Sequence, residues 1–269
     1  MPVYTAPLRD MSFVLKEIIG IDKITAIKNY QDLSEDLIEA VLTEGARFTE
    51  NVLHPINLSG DKEGCQWDNG NVRTPKGFKE AYNEYTKGGW AALSADPEYG
   101  GQGLPNIVAL LFEEMICSAN VAFGLYPGLT RGAYAMLHNH GSDTLKTKYL
   151  PKMVEGTWSG TMCLTEPHCG TDLGLLRTKA ESQADGTYKL TGTKIFISSG
   201  EHDLTENILH FVIARTPEAV SGVKGISLFL VPKFMVNDDG SLGARNPVTC
   251  ASIEHKMGIK ASSTCVMNF

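Results

Sequence analysis

Two short segments in the second half of the chain hold hydroxyl groups, a glycine and an aromatic residue that together could bind a flat ring and a phosphate. One is Leu164-Thr-Glu-Pro-His-Cys-Gly-Thr-Asp172, and the other is Lys194-Ile-Phe-Ile-Ser198. The backbone of Leu164 and Thr165 and the Thr165 hydroxyl could bind the edge of the ring. The Gly170-Thr171 pair would let backbone N–H groups approach a phosphate closely. By spacing alone, however, such a segment is more often only a connection between elements.

The second segment predicts a strand that places an aromatic ring beside a hydroxyl. Side chains alternate along a strand, so Phe196 and Ser198 share one face and Ile197 points to the other. A ring against the face of a flavin and a hydroxyl near its N5 would complete the site. An aromatic residue on a strand is more often part of a hydrophobic core. The residues therefore allow two interpretations, a flavin wall or core packing.

Four acidic side chains, two on an earlier predicted helix and two in the first segment, could be proposed as a general base: Glu113, Glu114, Glu166 and Asp172. The first two are expected on a helix face. The other two lie in the loop, where capping a turn or a helix start is the commoner role of a carboxylate. We therefore predict no catalytic residue among them.

Histidine and cysteine residues also fail to form a convincing site. His138 and His140 have no third ligand at a metal-binding spacing, and two histidines at a helix end are usually solvated. His168 lies near Cys163 and Cys169 in sequence, but adjacency in sequence is not the geometry of a catalytic triad. No metal site is predicted.

Composition and charge exclude several classes of protein. The chain has 269 residues, is 42% hydrophobic and 20% charged, and carries a net charge of −7. This charge offers no basic field for nucleic acid. The apolar run Ile107–Phe112 is too short for a membrane span, and the N-terminus lacks the features of a signal peptide. A cytoplasmic location and six reduced, unpaired cysteines are therefore expected.

The first half of the chain predicts a helical bundle. Ser34 is a plausible N-cap ahead of apolar residues that recur at helical spacing, and a second helix follows Pro75. Pro105 opens a broader apolar helix. Two further helices are predicted at about residues 129–140 and, before Pro151, at residues 145–150.

The second half predicts a β-domain, a small barrel or sandwich. Short runs rich in β-branched and aromatic residues recur from residue 188 to residue 253, with Asp185-Gly186 and Asp239-Gly240 as turn signals between them. The fold class is thus α+β. We assign residues 1–33 to an N-terminal extension, 34–158 to an α-helical N-domain and 159–269 to a β middle domain that is incomplete at its C-terminus.

The two segments resemble the flavin-contacting loop and strand of the acyl-CoA dehydrogenases. In that family a Thr-Glu-Pro-x-x-Gly-Ser/Thr-Asp motif precedes a Lys-x-aromatic-Ile-Ser/Thr strand. The resemblance covers nearly the whole chain, since Gly89–Pro105, Gly141–Pro151 and Lys256–Thr264 also look like family segments. The opening residues from Tyr4 to Leu15 resemble a long bacterial branch whose members act on different acyl-CoA substrates, including 3-methylmercaptopropionyl-CoA.

The resemblance implies a role for each site residue. Leu164 and Thr165 match residues that bond the flavin ring, and Gly170 belongs to the same cofactor-binding loop. Thr171 matches a hydroxyl that contacts both the flavin diphosphate and the CoA chain of the substrate. Phe196 occupies the place of the aromatic residue against the isoalloxazine, and Ser198 that of the hydroxyl at N5. Two residues depart from the family pattern: Met162 replaces a frequent aromatic residue, and Cys169 replaces a small one. The resemblance therefore does not define the shape of the pocket near them.

The activity that the resemblance implies is FAD-dependent oxidation of an acyl-CoA thioester to its 2,3-enoyl-CoA. Electrons would leave through a carrier such as electron-transferring flavoprotein, and family members usually form homo-oligomers. The general base of the family is a Glu in a C-terminal helical domain, which we expect to be absent from this chain. This chain alone is therefore expected to be inactive.

Two other functions remain open at this stage. An acyl-CoA oxidase would share the fold and pass electrons directly to oxygen. A non-catalytic flavin or acyl-CoA binding module would be complete at Phe269. Against the module, the chain ends within what resembles a strand, Thr264–Phe269, which would leave an exposed apolar sheet edge.

Overall fold

The computed structural model describes residues 3–269. Seven α-helices dominate the first half of this part of the chain: α1 (Leu8–Phe13), α2 (Ile21–Thr25), α3 (Glu35–Phe48), α4 (His54–Glu63), α5 (Phe78–Lys87), α6 (Asn106–His140) and α7 (Asp143–Glu155). Two π-helical segments, Val14–Ile19 and Thr49–Leu53, extend α1 and join α3 to α4.

The ends of the helices follow from local sequence. The Ser34 hydroxyl accepts a hydrogen bond from the N–H of Leu37, which confirms the predicted N-cap of α3. The predicted helix after Pro75 is α5, and its buried residues include Phe78 and Tyr82. These helices enclose one aromatic core around Phe123.

Helix α6 is bent sharply at Asn120, which has non-helical dihedral angles. The carboxylate of Glu113 and the guanidinium of Arg131 form an ion pair across the bend, so the two halves of the helix lie side by side. The second half is the separate helix that was predicted to end at Gly141, but it begins just after Asn120 and not near residue 129. The second half follows directly from Asn120, whose side chain accepts from the N–H of Phe123 and caps it.

Two prolines lie inside helices whose predicted bounds were too short. Pro127 is within α6, and Pro151 is within α7, which runs on to Glu155 instead of ending at Leu150. Tertiary packing on Leu150 and Met153, both buried, outweighs the local cost of the proline.

By length and apolar composition α6 could cross a membrane, which differs from the expectation that no segment could. However, 61% of its most apolar window is buried inside the protein. The bend and this burial are those of a helix in the core of a folded domain.

The N-terminal residues pack as part of the helical domain. Met11, Leu15 and Ile24 share a buried core with Leu42 of α3 and Met115 of α6. Residues 3–33 of the predicted extension thus cover an apolar face of the bundle.

A hairpin that the sequence analysis did not predict lies between α4 and α5. It consists of β1 (Gln66–Asp68) and β2 (Asn71–Arg73). The indole N–H of Trp67 donates to the carbonyl of Cys250, and Val72 is buried in the core of the second half. The hairpin therefore ties the helical domain to the β-domain.

The second half contains ten strands: β3 (Trp158–Cys163), β4 (Lys179–Ser182), β5 (Tyr188–Thr191), β6 (Thr193–Ser198), β7 (Asn207–Ala214), β8 (Ser227–Pro232), β9 (Phe234–Val236), β10 (Leu242–Arg245), β11 (Thr249–Ile253) and β12 (Thr264–Asn268). Both predicted Asp-Gly turns join strands, β4 to β5 and β9 to β10.

Two three-stranded sheets form the centre of the β-domain. One has the order β3-β7-β8, with β3 and β7 parallel, and the other has the order β11-β12-β6. Cys163 and Val212 from the first sheet and Ile197 and Cys265 from the second share one core. The sandwich-like packing agrees with the sequence expectation.

Strand β12 is the middle strand of its sheet, paired on both sides. The expectation of an exposed apolar edge at residues 264–269 was therefore wrong, because β6 and β11 cover both edges. All six cysteines lie in the described part of the chain and are unpaired, as predicted.

Candidate flavin-contacting site

The first candidate segment continues directly from β3. The carbonyl of Leu164 accepts a hydrogen bond from Nζ of Lys194 at 3.1 Å, and the carbonyl of Thr165 accepts from the N–H of Ile195 at 2.8 Å. Both carbonyls are thus used within the protein. A ligand at this loop would meet the N–H groups of these residues and the Thr165 hydroxyl.

The loop is anchored by Glu166, whose side chain is buried. Its carboxylate accepts from the N–H groups of Arg177 and Thr178, at 2.8 and 3.0 Å, and from Nζ of Lys194 at 2.9 Å. Burial raises the pKa of Glu166, but the hydrogen bonds from Thr178 and Lys194 outweigh it and lower the pKa to about 2. A carboxylate so fully bonded is a structural anchor and a poor general base.

Gly170 and Thr171 form the tip of this loop, which closes through a bridge between Glu166 and Cys169. A Cβ at Gly170 would lie 3.3 Å from Cγ2 of Thr165, so the backbone here packs tightly against Thr165. Thr171 is exposed, and Asp172 accepts from the N–H of Gly174 and caps the turn that follows. The loop therefore presents Thr171 to solvent on a fixed backbone.

The second candidate segment is β6, which carries a bulge. Lys194 pairs with Met267 and Ile197 pairs with Cys265, so β6 has one extra residue between these pairs. Phe196, inside the bulge, has φ of 57° and is 59% exposed, while Ile197 is buried. Ser198, on the far side of Ile197, is half-buried. The core-packing interpretation of Phe196 is therefore wrong, since its ring faces outward.

Backbone strain marks the same place. A positive φ is unfavourable for a bulky L-residue and is usually kept where structure or function demands it. Phe196 adopts it on an exposed face, where its ring gains little from packing. A free aromatic ring and a hydroxyl two residues apart are what a flat, partly apolar ligand could use.

The two segments meet through Lys194 and Ile195. These adjacent residues of β6 donate to the carbonyls of Leu164 and Thr165, so the loop and the strand form one unit. The structure thus brings together the ends of the two segments that sequence analysis selected.

The remaining acidic candidates have other partners. Glu113 is paired with Arg131, Glu114 is exposed on α6, and Asp172 caps a turn. His138 contacts Asp96 at 3.0 Å. Each of these groups either is bonded within the protein or is exposed to solvent, so none is placed as a general base for the candidate site.

Glu166, His168 and Cys169 bring three potential metal ligands together within 4.8 Å, a cluster that sequence analysis did not propose. The Glu166 carboxylate already forms an ion pair with the ammonium group of Lys194. Nε2 of His168 lies 3.0 Å from the carbonyl of Leu175. The Lys194 ammonium therefore already supplies the positive charge next to Glu166, and the cluster does not fit a metal.

A cavity of about 70 Å³ in the helical domain was also missed by sequence analysis. Aromatic rings and small residues line it, among them Tyr82, Trp90, Phe112, Gly124 and Gly128. The bend of α6 creates it, because both halves of that helix contribute to its wall. No local sequence signal marks a cavity formed by such a bend.

Family models now identify the class of protein. The model of the acyl-CoA dehydrogenase N-terminal domain matches residues 39–157, and that of the acyl-CoA dehydrogenase middle domain matches residues 161–269. The chain belongs to the acyl-CoA dehydrogenase family, of which it contains these two domains.

Among curated relatives, the chain is similar to 3-methylmercaptopropionyl-CoA dehydrogenase of Ruegeria pomeroyi. The two are 46% identical over 266 residues, which cover 99% of this chain and 45% of the relative. The chain thus spans less than half the length of that protein.

Two solved structures share the fold. One, from work on the electron transferring flavoprotein of Acidaminococcus fermentans, has a TM-score of 0.71 and 28% identity over 88% of this chain and 55% of that one. The other is an acyl-CoA dehydrogenase complexed with FAD from Bacillus anthracis, with a TM-score of 0.67 and 25% identity. The match covers 89% of this chain and 36% of that chain.

Proposed function

We propose that this chain supplies the N-terminal and middle domains of an FAD-dependent acyl-CoA dehydrogenase. The reaction would convert an acyl-CoA thioester to the 2,3-enoyl-CoA. The observation that carries the proposal is the joining of the Leu164–Thr165 loop to β6, next to the exposed Phe196 and the half-buried Ser198. The solved relative with bound FAD supports the choice of cofactor.

Each residue of the unit has a distinct task in this proposal. The N–H groups of Leu164 and Thr165 would bond the ring edge, Phe196 would cover one ring face, and Ser198 would donate a hydrogen bond near N5. Gly170 and Thr171 would approach the diphosphate, with Thr171 also reaching the CoA chain. FAD supplies the hydride acceptor, while the protein supplies binding and orientation.

The proton must be removed by a group outside the residues assigned here. The settings of Glu113, Glu114, Glu166 and Asp172 suit none of them to this role. From the resemblance to the family, we propose that the base is a Glu of a C-terminal helical domain. A positioned base contributes about 10²–10⁴-fold in rate. This chain alone is expected to lack that contribution.

The substrate class is an acyl-CoA, and 3-methylmercaptopropionyl-CoA is our first candidate. The support is the 46% identity with the Ruegeria enzyme over 99% of this chain. A role in fatty acid metabolism, a cytoplasmic location, a homo-oligomeric assembly and electron-transferring flavoprotein as acceptor complete the proposal.

The test uses the protein as its native source produces it. FAD titration followed by anaerobic addition of the acyl-CoA should bleach the flavin absorbance. The Ser198→Ala variant should slow bleaching, whereas the exposed-strand control Ser182→Ala should not. Stable FAD binding without bleaching by any acyl-CoA would favour the non-catalytic module, and no FAD binding would refute the proposal.

The acyl-CoA oxidase alternative is tested by the same preparation. After reduction by substrate, the flavin is mixed with oxygen in a stopped-flow instrument. Slow reoxidation supports the dehydrogenase, while rapid reoxidation supports the oxidase.

A further inference from the structure

Lys194 has the most unusual environment among the residues around the candidate flavin site. Its side chain is 0% exposed, although lysine is almost never fully buried without a partner. Nζ has two acceptors, the Glu166 carboxylate at 2.9 Å and the Leu164 carbonyl at 3.1 Å. Through the second acceptor, the Leu164 carbonyl, this buried charge can act on a peptide group that we assign to flavin binding.

The Leu164 carbonyl and the Thr165 N–H belong to the same peptide group. A charged donor on the carbonyl oxygen polarises the peptide and makes its N–H a stronger donor, an effect enhanced in a low-dielectric interior. The Thr165 N–H is one of the groups that we assign to the ring edge. Lys194 therefore acts on the ligand face through one peptide, without touching the ligand.

The same lysine also sets the backbone around it. The next residue, Ile195, donates its N–H to the Thr165 carbonyl at 2.8 Å, so the Leu164–Thr165 turn is held from two adjacent positions of β6. Phe196 and Ser198 follow on the same strand. A shift of Lys194 would thus move both halves of the candidate site relative to each other.

Glu166 balances the lysine. Its carboxylate is buried and bonded to the N–H groups of Arg177 and Thr178 as well as to Lys194. A neutral residue in place of Lys194 would leave the buried negative charge of Glu166. A neutral residue in place of Glu166 would leave the buried positive charge of Lys194. The two single substitutions therefore change the local electrostatic potential in opposite directions.

We propose that Lys194 is a positioning residue that orients and strengthens the Thr165 N–H towards the flavin ring and favours the negative charge that the ring gains on reduction. This inference rests on the proposed function, because it requires FAD at the site. Glu166 sets the size of the effect by partly neutralising the lysine.

The test measures the midpoint potential of the bound flavin and its dissociation constant in the protein as its source produces it. Lys194→Met should lower the potential and weaken FAD binding by up to about 10-fold, the effect of losing one neutral hydrogen bond, since Lys194 acts only through the Thr165 N–H. Glu166→Gln should raise the potential, because it leaves the positive charge without its counterion. Lys194→Arg should restore much of the potential.

The matched control is Lys189→Met on the exposed strand β5, which should leave both quantities unchanged. A purely structural role predicts that Lys194→Met and Glu166→Gln shift the potential in the same direction or not at all, and either result overturns the inference. If Lys194→Met does not fold, Glu166→Gln decides alone, since an unchanged or lowered potential contradicts the proposal. Wild-type protein that binds no FAD would instead overturn the proposed function.

Discussion

His202 and His210 lie in the interior of the β-domain. Nε2 of His202 is 3.0 Å from the Ser159 hydroxyl, and Nδ1 of His210 is 2.9 Å from the Thr161 hydroxyl. Burial, reinforced by the positive charge of Lys233, lowers the pKa of each imidazole to about 3. Both histidines are neutral near pH 7 and belong to the structure of the domain.

We predict that these histidines make the protein less stable in mild acid. Their pKa is lower in the folded than in the unfolded chain, so the unfolded chain binds protons first. The unfolding free energy therefore falls as pH decreases from about 6.5 to about 3. His210→Gln should reduce this slope by about 1.4 kcal/mol per pH unit in denaturant titrations between these limits.

His140→Gln, at an exposed position near the end of α6, serves as the control and should retain the wild-type slope. If His210→Gln also retained it, His210 would not be held neutral by burial.

A second residue-scale prediction concerns the strain at Phe196. Glycine tolerates a positive φ, so Phe196→Gly should maintain or raise stability by about 1 kcal/mol while weakening FAD binding. Ile195→Gly, at a neighbouring position without a positive φ, should instead lower stability. Thermal melts and FAD titration check both variants. Marked destabilisation of Phe196→Gly would show that the ring contributes to packing.

At the scale of elements, the bend of α6 decides the shape of the helical domain. Asn120 is buried and makes two hydrogen bonds, donating to the carbonyl of Leu53 at 3.1 Å and accepting from the N–H of Phe123 at 3.1 Å. The first fixes α6 against the segment that precedes α4. The second begins the next helical half.

We predict that Asn120→Ala lowers the free energy of unfolding by about 2–4 kcal/mol, because it removes a cap and leaves a buried carbonyl without its donor. The control Asn139→Ala, at an exposed position on the same helix, should cost far less. Denaturant titration measures both. Equal effects would show that the side chain of Asn120 does not hold the bend.

The N-terminal helices allow a matched test of core packing. Leu15 is buried against α3 and α6, whereas Phe13 is exposed. Leu15→Ala should cost about 2–5 kcal/mol, and Phe13→Ala should stay within about 0.5 kcal/mol of wild type. A small effect of Leu15→Ala in the same titrations would mean that residues 3–33 are only an appendage of the bundle.

At the scale of the whole molecule, the candidate flavin-contacting site is exposed to solvent. Phe196 and Thr171, two residues of this site, are both exposed. A cofactor covered on one side only keeps much of its surface in water, so its affinity is limited. We therefore predict that residues 1–269 alone bind FAD weakly.

Flavin fluorescence titration of residues 1–269 tests this prediction. A submicromolar dissociation constant would contradict it, because the residues described here would then suffice for tight binding. The matched comparison is the protein at the length its source produces, which should bind FAD more tightly if further domains cover the open face.

Much of the fold followed from local patterns in the sequence. The Ser34 cap, the helix after Pro75 and the Asp-Gly turns depend on neighbours a few residues away, so sequence reasoning found them. The bend at Asn120 depends on a bond to Leu53, which lies 67 residues earlier. The helix through Pro151 depends on tertiary burial. Such distant partners leave no local signal.

The sequence by itself determined the succession of a helical and a β-domain, the family resemblance and the two segments that could contact a flavin, because each is a matter of periodicity or of a short motif. The tertiary structure alone decided that β6 bulges and turns Phe196 outward. It also decided that Lys194 and Glu166 form a buried pair under the loop. The reason is physical: strand register, burial and the pairing of charges are set by residues that meet only when the chain folds.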